Sequence, residues 1–519
     1  MEQKKNYTLP IITMFFLFAM ISFVTNLAAP FGTIWKNEYA GANTLGMMGN
    51  MMNFLAYLFM GIPAGNLLVR IGYKKTALIA MGVGILGLFV QYLSSRFGAD
   101  TALFNYETIN EETNEAVNIA VKLNFIIYLL GAFICGFCVC MLNTVVNPML
   151  NLLGGGGNKG NQLIQTGGAL NSLSGTLTPL FVGALIGTVT PKTNMTDVAP
   201  LLFIAMGVFA MSFLVISFVS IPEPHLQKKQ DAGKKARAQY SPWSFRHFIL
   251  GVIGIFIYVG IEVGIPGTLN FYLADASSKG AGILINGAAI GGAIAAIYWL
   301  LMLVGRLVSS VISGKVSSRV QLLVVSALAI LLVIGAIFTP KSVGMDVPGF
   351  IYNPEEKTEA ILQEAGVPAE TIAAFMADPQ GVDLSEYAPA LKEEANLTPA
   401  ELPGSMKSPR VPLSALLLIL CGLCTSVMWG GIFNLAVEGL GKYTAQASGI
   451  FMMMVVGGGV MPLIQEAIGR AAGDYMTSYW LVVAMMLYIL YYALIGSKNV
   501  NTDIPVDEEN VSEEVENAL

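Results

Sequence analysis

Histidine is almost missing: His225 and His247 are the only two in 519 residues. Neither falls near the middle of an apolar stretch, so His-based metal or acid–base sites have little to build on. Charge is scarce as well, at 12% of the chain, too little to coat the surface of a soluble protein of this length. The five cysteines all lie in apolar segments, which does not fit a secreted disulfide framework. Two C-x-x-C pairs, Cys135-Gly136-Phe137-Cys138 and Cys421-Gly422-Leu423-Cys424, have a metal-ligand spacing. Both sit in glycine-rich apolar stretches without histidine and read as small hydrophobes that let helices approach. No cofactor is expected.

Hydrophobic residues fill the gap, at 55% of the chain with a mean hydropathy of +0.65, and define a polytopic membrane protein. Apolar runs fall at roughly 9–34, 45–69, 75–94, 123–150, 162–189, 199–221, 246–273, 282–313, 320–339, 411–437, 445–468 and 476–496. Each is near the ~20 residues a span requires. The expected fold class is all-α, with twelve helices in two six-helix halves. The first run is longer than a signal-peptide core and has no small-x-small cleavage pattern, so it is expected to be retained.

Basic residues lie between spans 2 and 3 (Arg70, Lys74, Lys75), 4 and 5 (Lys159), 6 and 7 (Lys228, Lys229, Lys234, Lys235, Arg237), 8 and 9 (Lys315, Arg319) and 10 and 11 (Lys442). These loops share one side, so both termini are expected in the cytoplasm. The expected domains are a bundle over 1–221, a cytoplasmic linker over 222–244, a second bundle over 245–497 and an acidic tail over 498–519. An external insertion at 340–410 contains helix-like pieces, Pro354 to Glu364 and Pro368 to Met376, that start with proline and acids. Residues 95–122 form a second, polar and acidic, external excursion.

One charge stands out. Glu262 sits alone in the run from Phe248 to Leu269, where an ionisable group costs roughly 3 kcal/mol and marks a pathway. Four residues on, Pro266 loosens the helix between Gly264 and Gly267. The first span repeats the arrangement, with Asn26 four residues before Pro30. The two C-x-x-C pairs, and Gly175 to Pro179 against Gly458 to Pro462, are further marks of duplication, so the site is expected at the interface of two related halves.

Side-chain amides are dense at membrane depth: Asn26, Asn50, Asn53, Asn143, Asn147, Gln162, Gln165, Asn171, Asn270, Asn286 and Asn434. An amide both donates and accepts, as recognition of a polyhydroxylated solute requires. Tyr258, Tyr272, Trp299 and Trp429 could offer flat faces to a sugar ring. Amides also serve as glue between membrane helices. Arg306 reads as a structural or gating charge towards the cytoplasm.

The helix 2–3 loop, Gly65-Asn66-Leu67-Leu68-Val69-Arg70-Ile71-Gly72-Tyr73-Lys74-Lys75, resembles the G-x-L-x-D-R-x-G-R-K motif of the major facilitator superfamily, with Val69 in place of the acid. Gly305-Arg306 with Gly314-Lys315 resembles its degenerate second copy. More specifically, Tyr258 to Gly264, Asn147-Pro148, Leu170-Asn171-Ser172 and Val437 to Tyr443 leading to Ser448-Gly449 resemble the fucose/galactose/glucose:proton symporter family. That resemblance implies a monosaccharide carrier of the inner (cytoplasmic) membrane that works by alternating access. Its pattern has acids where this chain has Asn26 and Asn143, so proton carriage by those positions is absent. The expected sugar contacts are Asn26, Asn143, Asn147, Asn171, Glu262, Asn270 and Asn434, with coupling to H⁺ or Na⁺ through Glu262 and gating by Arg70 and Arg306. The expected partners are the sugar and the bilayer, without nucleic acid, and the working unit is expected to be a monomer. A carrier or facilitator for another polar solute, such as a nucleoside or amino sugar, and a non-transporting solute sensor are the alternatives. An intramembrane enzyme is disfavoured because no span holds an acid pair or His/carboxylate cluster.

Overall fold

The computed structural model describes residues 7–39, 43–109, 116–186, 194–223, 240–275, 279–283, 287–347, 349, 353–395, 398–400, 402–406 and 409–506. Asn286, most of the expected linker and most of the acidic tail lie outside them. Long apolar helices dominate. The first half contributes α1 (Thr8–Glu38), α2 (Asn43–Ser94), α3 (Leu123–Leu153), α4 (Gly157–Ile186) and α5 (Ala199–Phe218). The second contributes α6 (Arg246–Ala274), α7 (Gly287–Ile312), α8 (Ser318–Phe338), α9 (Leu413–Val437), α10 (Thr444–Met453), α11 (Gly457–Ala472) and α12 (Tyr475–Tyr491). Among the described residues, ten segments are long and apolar enough to cross a membrane. One of these, at 45–94, comprises two limbs of α2 that turn at Gly72, whose φ of 88° belongs to the left-handed region that glycine enters freely.

Local chemistry sets the helix ends. Ser317 caps α8 by accepting from the Val320 amide at 3.4 Å. Asp474 caps α12 by accepting from Thr477 at 3.0 Å, directly after Gly473 ends α11 at a φ of 68°. The C-x-x-C cysteines are all buried and unpaired. A methyl group added at Gly84 would lie 2.9 Å from Cys138 Sγ, and one at Gly87 2.7 Å from Cys135 Sγ. Thiols on α3 thus face glycines on the second limb of α2, and small residues on both sides set the spacing.

The loop after α2 is an antiparallel hairpin, Ala102–Ile109 with Ala116–Lys122, where composition alone indicates only a polar excursion. The longer insertion starts and ends in a second two-stranded ladder, Gly344–Asp346 with Arg410–Pro412. Between them Pro354–Glu364 forms a helix as expected, followed by Ala369–Ala377 and Ala388–Ala395. Leu362, Ile372, Phe375, Leu384 and Leu391 form a small core of its own, separate from the membrane bundle.

The halves meet through α2 against α10 and α4 against α7. Contacts of Gly61, Gly65, Asn151 and Asn161 place the junction close to the α3–α4, α7–α8 and α9–α10 turns, near Lys159, Lys315 and Lys442.

Candidate functional site

Prolines inside the long helices free backbone acceptors where the halves touch. Pro148 has no N–H, so the Thr144 carbonyl one turn earlier lacks its helical donor. Ser448 of the other half donates to that carbonyl at 3.1 Å. Around this bond runs a polar seam. Asn151 Nδ2 donates to Asn434 Oδ1 at 2.7 Å, and Asn434 Nδ2 donates to Ser318 Oγ at 2.9 Å. Asn161 Nδ2 reaches Ser313 Oγ at 3.1 Å, and Gln165 Nε2 reaches the Val427 carbonyl at 2.9 Å. Backbones also touch here: a methyl at Gly449 would lie 2.5 Å from both the Gly61 carbonyl oxygen and Gly65 Cα.

Deeper in the bundle the amides join aromatic rings. Asn143 Nδ2 donates to Tyr57 OH at 2.7 Å, and Asn147 Nδ2 donates to the Asn143 carbonyl at 2.9 Å. Trp429 Nε1 of α9 donates to Asn147 Oδ1 at 3.1 Å. The Trp429 ring packs edge-on to Tyr258 at 6.3 Å and to Phe451 at 6.2 Å. Tyr258 lies on α6 one turn before Glu262, so α2, α3, α9 and α6 contribute to one amide-aromatic floor.

Glu262 is not alone in space. Arg306 NH2 lies 3.2 Å from Glu262 Oε1, with side-chain exposures of 10% and 14%, low enough to remove most solvent screening. The other terminal nitrogen crosses to the first half, donating to the Gly168 carbonyl at 3.1 Å and to Ser172 Oγ at 2.8 Å on α4. One guanidinium therefore ties α4, α6 and α7. Position along the chain alone suggests a charge towards the cytoplasmic interface; the structure buries Arg306 in a three-way contact.

The remaining expected site residues are distributed. Asn171 donates to the Phe18 carbonyl at 2.8 Å and Asn26 to the Ser22 carbonyl at 2.8 Å, both along the packed face of α1 and α4. Asn270 lies against α7, where a methyl at Gly291 would approach Asn270 Oδ1 to 2.6 Å. Asn434 belongs to the seam, and Arg70 is exposed at the bend of α2.

That bend carries a residue that the sequence pattern does not single out. Glu223, just beyond α5, accepts from the Tyr73 and Lys74 amides, each at 2.8 Å, and so caps the limb that starts after Gly72. Burial pushes its carboxyl above the ordinary value, opposed by those two amides and by Lys75 and Lys74. Its placement in Ile221-Pro222-Glu223-Pro224, at the edge of an apolar run, is the available signal. Glu223→Ala strands two amide donors, and the melting temperature of the purified protein is expected to fall by a few degrees. An unchanged melting temperature would count against the cap.

A family model described as the Major Facilitator Superfamily matches residues 11–352. A glucose/galactose transporter of Brucella abortus biovar 1 is 26% identical over 505 residues, covering 96% of each chain. A Major Facilitator Superfamily transporter solved in the outward conformation superposes with a TM-score of 0.66 at 16% identity, over 95% of this chain and 100% of that one. The E. coli fucose:proton symporter superposes with a TM-score of 0.63 at 16% identity and the same coverage.

Proposed function

We propose that this chain, which belongs to the Major Facilitator Superfamily, carries a monosaccharide across the cytoplasmic membrane by alternating access. The superfamily makes it a multi-pass transporter rather than an enzyme; the named relatives, a glucose/galactose transporter and a fucose:proton symporter, support sugar as the cargo. The observation that carries the proposal is the floor built from Asn143, Asn147, Trp429 and Tyr258. It places the half-buried Trp429 ring over the buried amides Asn143 and Asn147 and the buried Tyr258, and both halves supply it.

The finer architecture is part of the proposal. Counting the two limbs of α2 separately, adding α4, and joining α10 with α11 gives twelve spans, six per half, divided by the linker at 222–244. With the basic loops inside, the termini are cytoplasmic and the polar seam closes the cytoplasmic side, so the conformation is outward-facing. Sugar hydroxyls meet Asn143, Asn147 and Glu262, and Asn26 and Asn171 shape the wall from α1 and α4. Asn434 and Arg306 act in closure, and ion coupling runs through Glu262, the acid at the junction of the halves.

Counterflow into proteoliposomes with labelled glucose, galactose, fucose and N-acetylglucosamine, under proton or sodium gradients, tests this. One sugar is expected to exchange in the wild type, and to exchange at least tenfold more slowly in Trp429→Ala. Exchange of no sugar by folded protein would refute the substrate class.

A further inference from the structure

We propose that the N-terminal half holds a single ordered water in a cavity between α1, the two limbs of α2 and α3, and that this pocket takes neutral water rather than a monovalent cation. The cavity measures about 10 Å³ to the centre of a water-sized sphere, close to the room one water needs. Val24, Leu27 and Phe31 of α1 form an apolar wall. Against it stand Asn53, Gln91 and Tyr128, exposed by only 8%, 5% and 1%.

Three oxygens of these side chains, Asn53 Oδ1, Gln91 Oε1 and Tyr128 OH, are buried without a protein partner among the described residues. Gln91 is held in orientation, because its Nε2 donates to Cys135 Sγ at 3.4 Å. That bond leaves Oε1 as the group to be satisfied. Stranding a buried polar atom is costly, and three around one water-sized space call for a shared ligand.

Hydrogen-bond valence selects the ligand. Two amide oxygens can only accept, while the phenol can donate. A water meets this set completely: it donates to Asn53 and Gln91 and accepts from Tyr128, the usual three bonds of a buried water. A hard cation gathers about six oxygens and wants negative charge; the pocket offers three oxygens and no carboxylate among its lining residues. The site has a structural consequence for the floor. Asn53 lies one turn from Tyr57, whose hydroxyl holds Asn143, so the water braces the stretch of α2 that positions that amide.

The direct test is a density map of the full-length protein, at a resolution that reveals waters elsewhere, in sodium chloride and in choline chloride. A peak within hydrogen-bond reach of all three oxygens is expected in both salts. No peak, or a peak in sodium alone, overturns the proposal. Thermal unfolding gives an independent reading. Asn53→Leu, Gln91→Met and Tyr128→Phe are each expected to lower the melting temperature by a few degrees. The triple variant, which leaves no stranded polar atom, is expected to recover at least half of the summed loss. Strictly additive losses, or a sodium-specific rise in wild-type melting temperature that Asn53→Leu abolishes, contradict it. If the triple variant does not fold, the wild-type map still decides.

Discussion

Arg306→Ala is expected to destabilise the protein by about 3 kcal/mol and to abolish transport, whereas Glu262→Gln is expected to retain sugar exchange and lose gradient-driven accumulation. The two substitutions break the same ion pair from opposite ends. Removing the guanidinium strands a carboxylate whose side chain is 14% exposed, and it also deletes the donors to Gly168 and Ser172 that hold α4 against α7. Removing the carboxylate charge leaves the arginine with both of those acceptors and with an amide oxygen where the carboxylate oxygen stood. Glu262→Gln therefore keeps the hydrogen bonds that hold α4 against α7 but leaves the guanidinium without a counter-ion, so it is expected to lose some stability together with whatever requires a titratable or cation-binding group. The double variant Arg306→Ala with Glu262→Gln carries no stranded charge and should recover the part of the melting temperature that the stranded carboxylate costs, but not the part lost with the donors to Gly168 and Ser172, nor transport. Fluorescence-monitored unfolding and paired assays of counterflow and gradient-driven uptake read all three. Undiminished accumulation in Glu262→Gln would remove that residue from coupling, and a double variant as unstable as Arg306→Ala would remove the ion pair from the stability argument.

Periodicity and length carry most of the fold into view. The helices Leu123–Leu153, Arg246–Ala274 and Leu413–Val437 lie within a few residues of their apolar runs, because a span is defined by composition that a window can read. Glu262 is legible because a lone acid at membrane depth is expensive wherever its partner is. The partner is not legible: Arg306 follows 44 positions later, and no local pattern reports which faces of two separate helices meet. The amides show the same limit. Asn147 and Asn434 look alike in sequence, yet one receives the Trp429 indole in the floor and the other joins Asn151 in the seam. Depth and facing decide an amide's role, and both follow from helix placement. Glu223 stays hidden because its partners are backbone amides in a distant loop. The motif position at Val69 lacks an acid, and that region is met by the Glu223 carboxylate from just beyond α5.

Gly449→Val is expected to open the seam. The added carbons would meet the Gly61 carbonyl and the Gly65 backbone, and backbone in a helix cannot swing aside as a flexible side chain does. Overpacking of this kind costs typically 1–3 kcal/mol, which shifts a two-state equilibrium by roughly 5- to 150-fold. The penalty falls only on the conformation in which α2 and α10 touch, so the folded halves survive while their closed arrangement loses population. A cysteine at position 161 reports this, because Asn161 is fully buried in the seam and the native cysteines are buried too. Maleimide labelling of Asn161→Cys is expected to rise at least tenfold when Gly449→Val is added, and counterflow to fall by a similar factor. Gly207→Ala, where a methyl meets no atom of the described residues within 4 Å, should change neither. Equal labelling with and without Gly449→Val would show that the glycine contact does not hold the halves together. The contact suits a transport cycle because it is made of surfaces without directional bonds. Tight against each other, two bare backbones exclude side chains and water; drawn apart, they leave no polar side chain stranded. The hydrogen bonds around them, from Asn151 to Asn434 and from Ser448 to the Thr144 carbonyl, join groups that water can satisfy when the seam opens. Closure is thereby selective in shape and inexpensive to reverse.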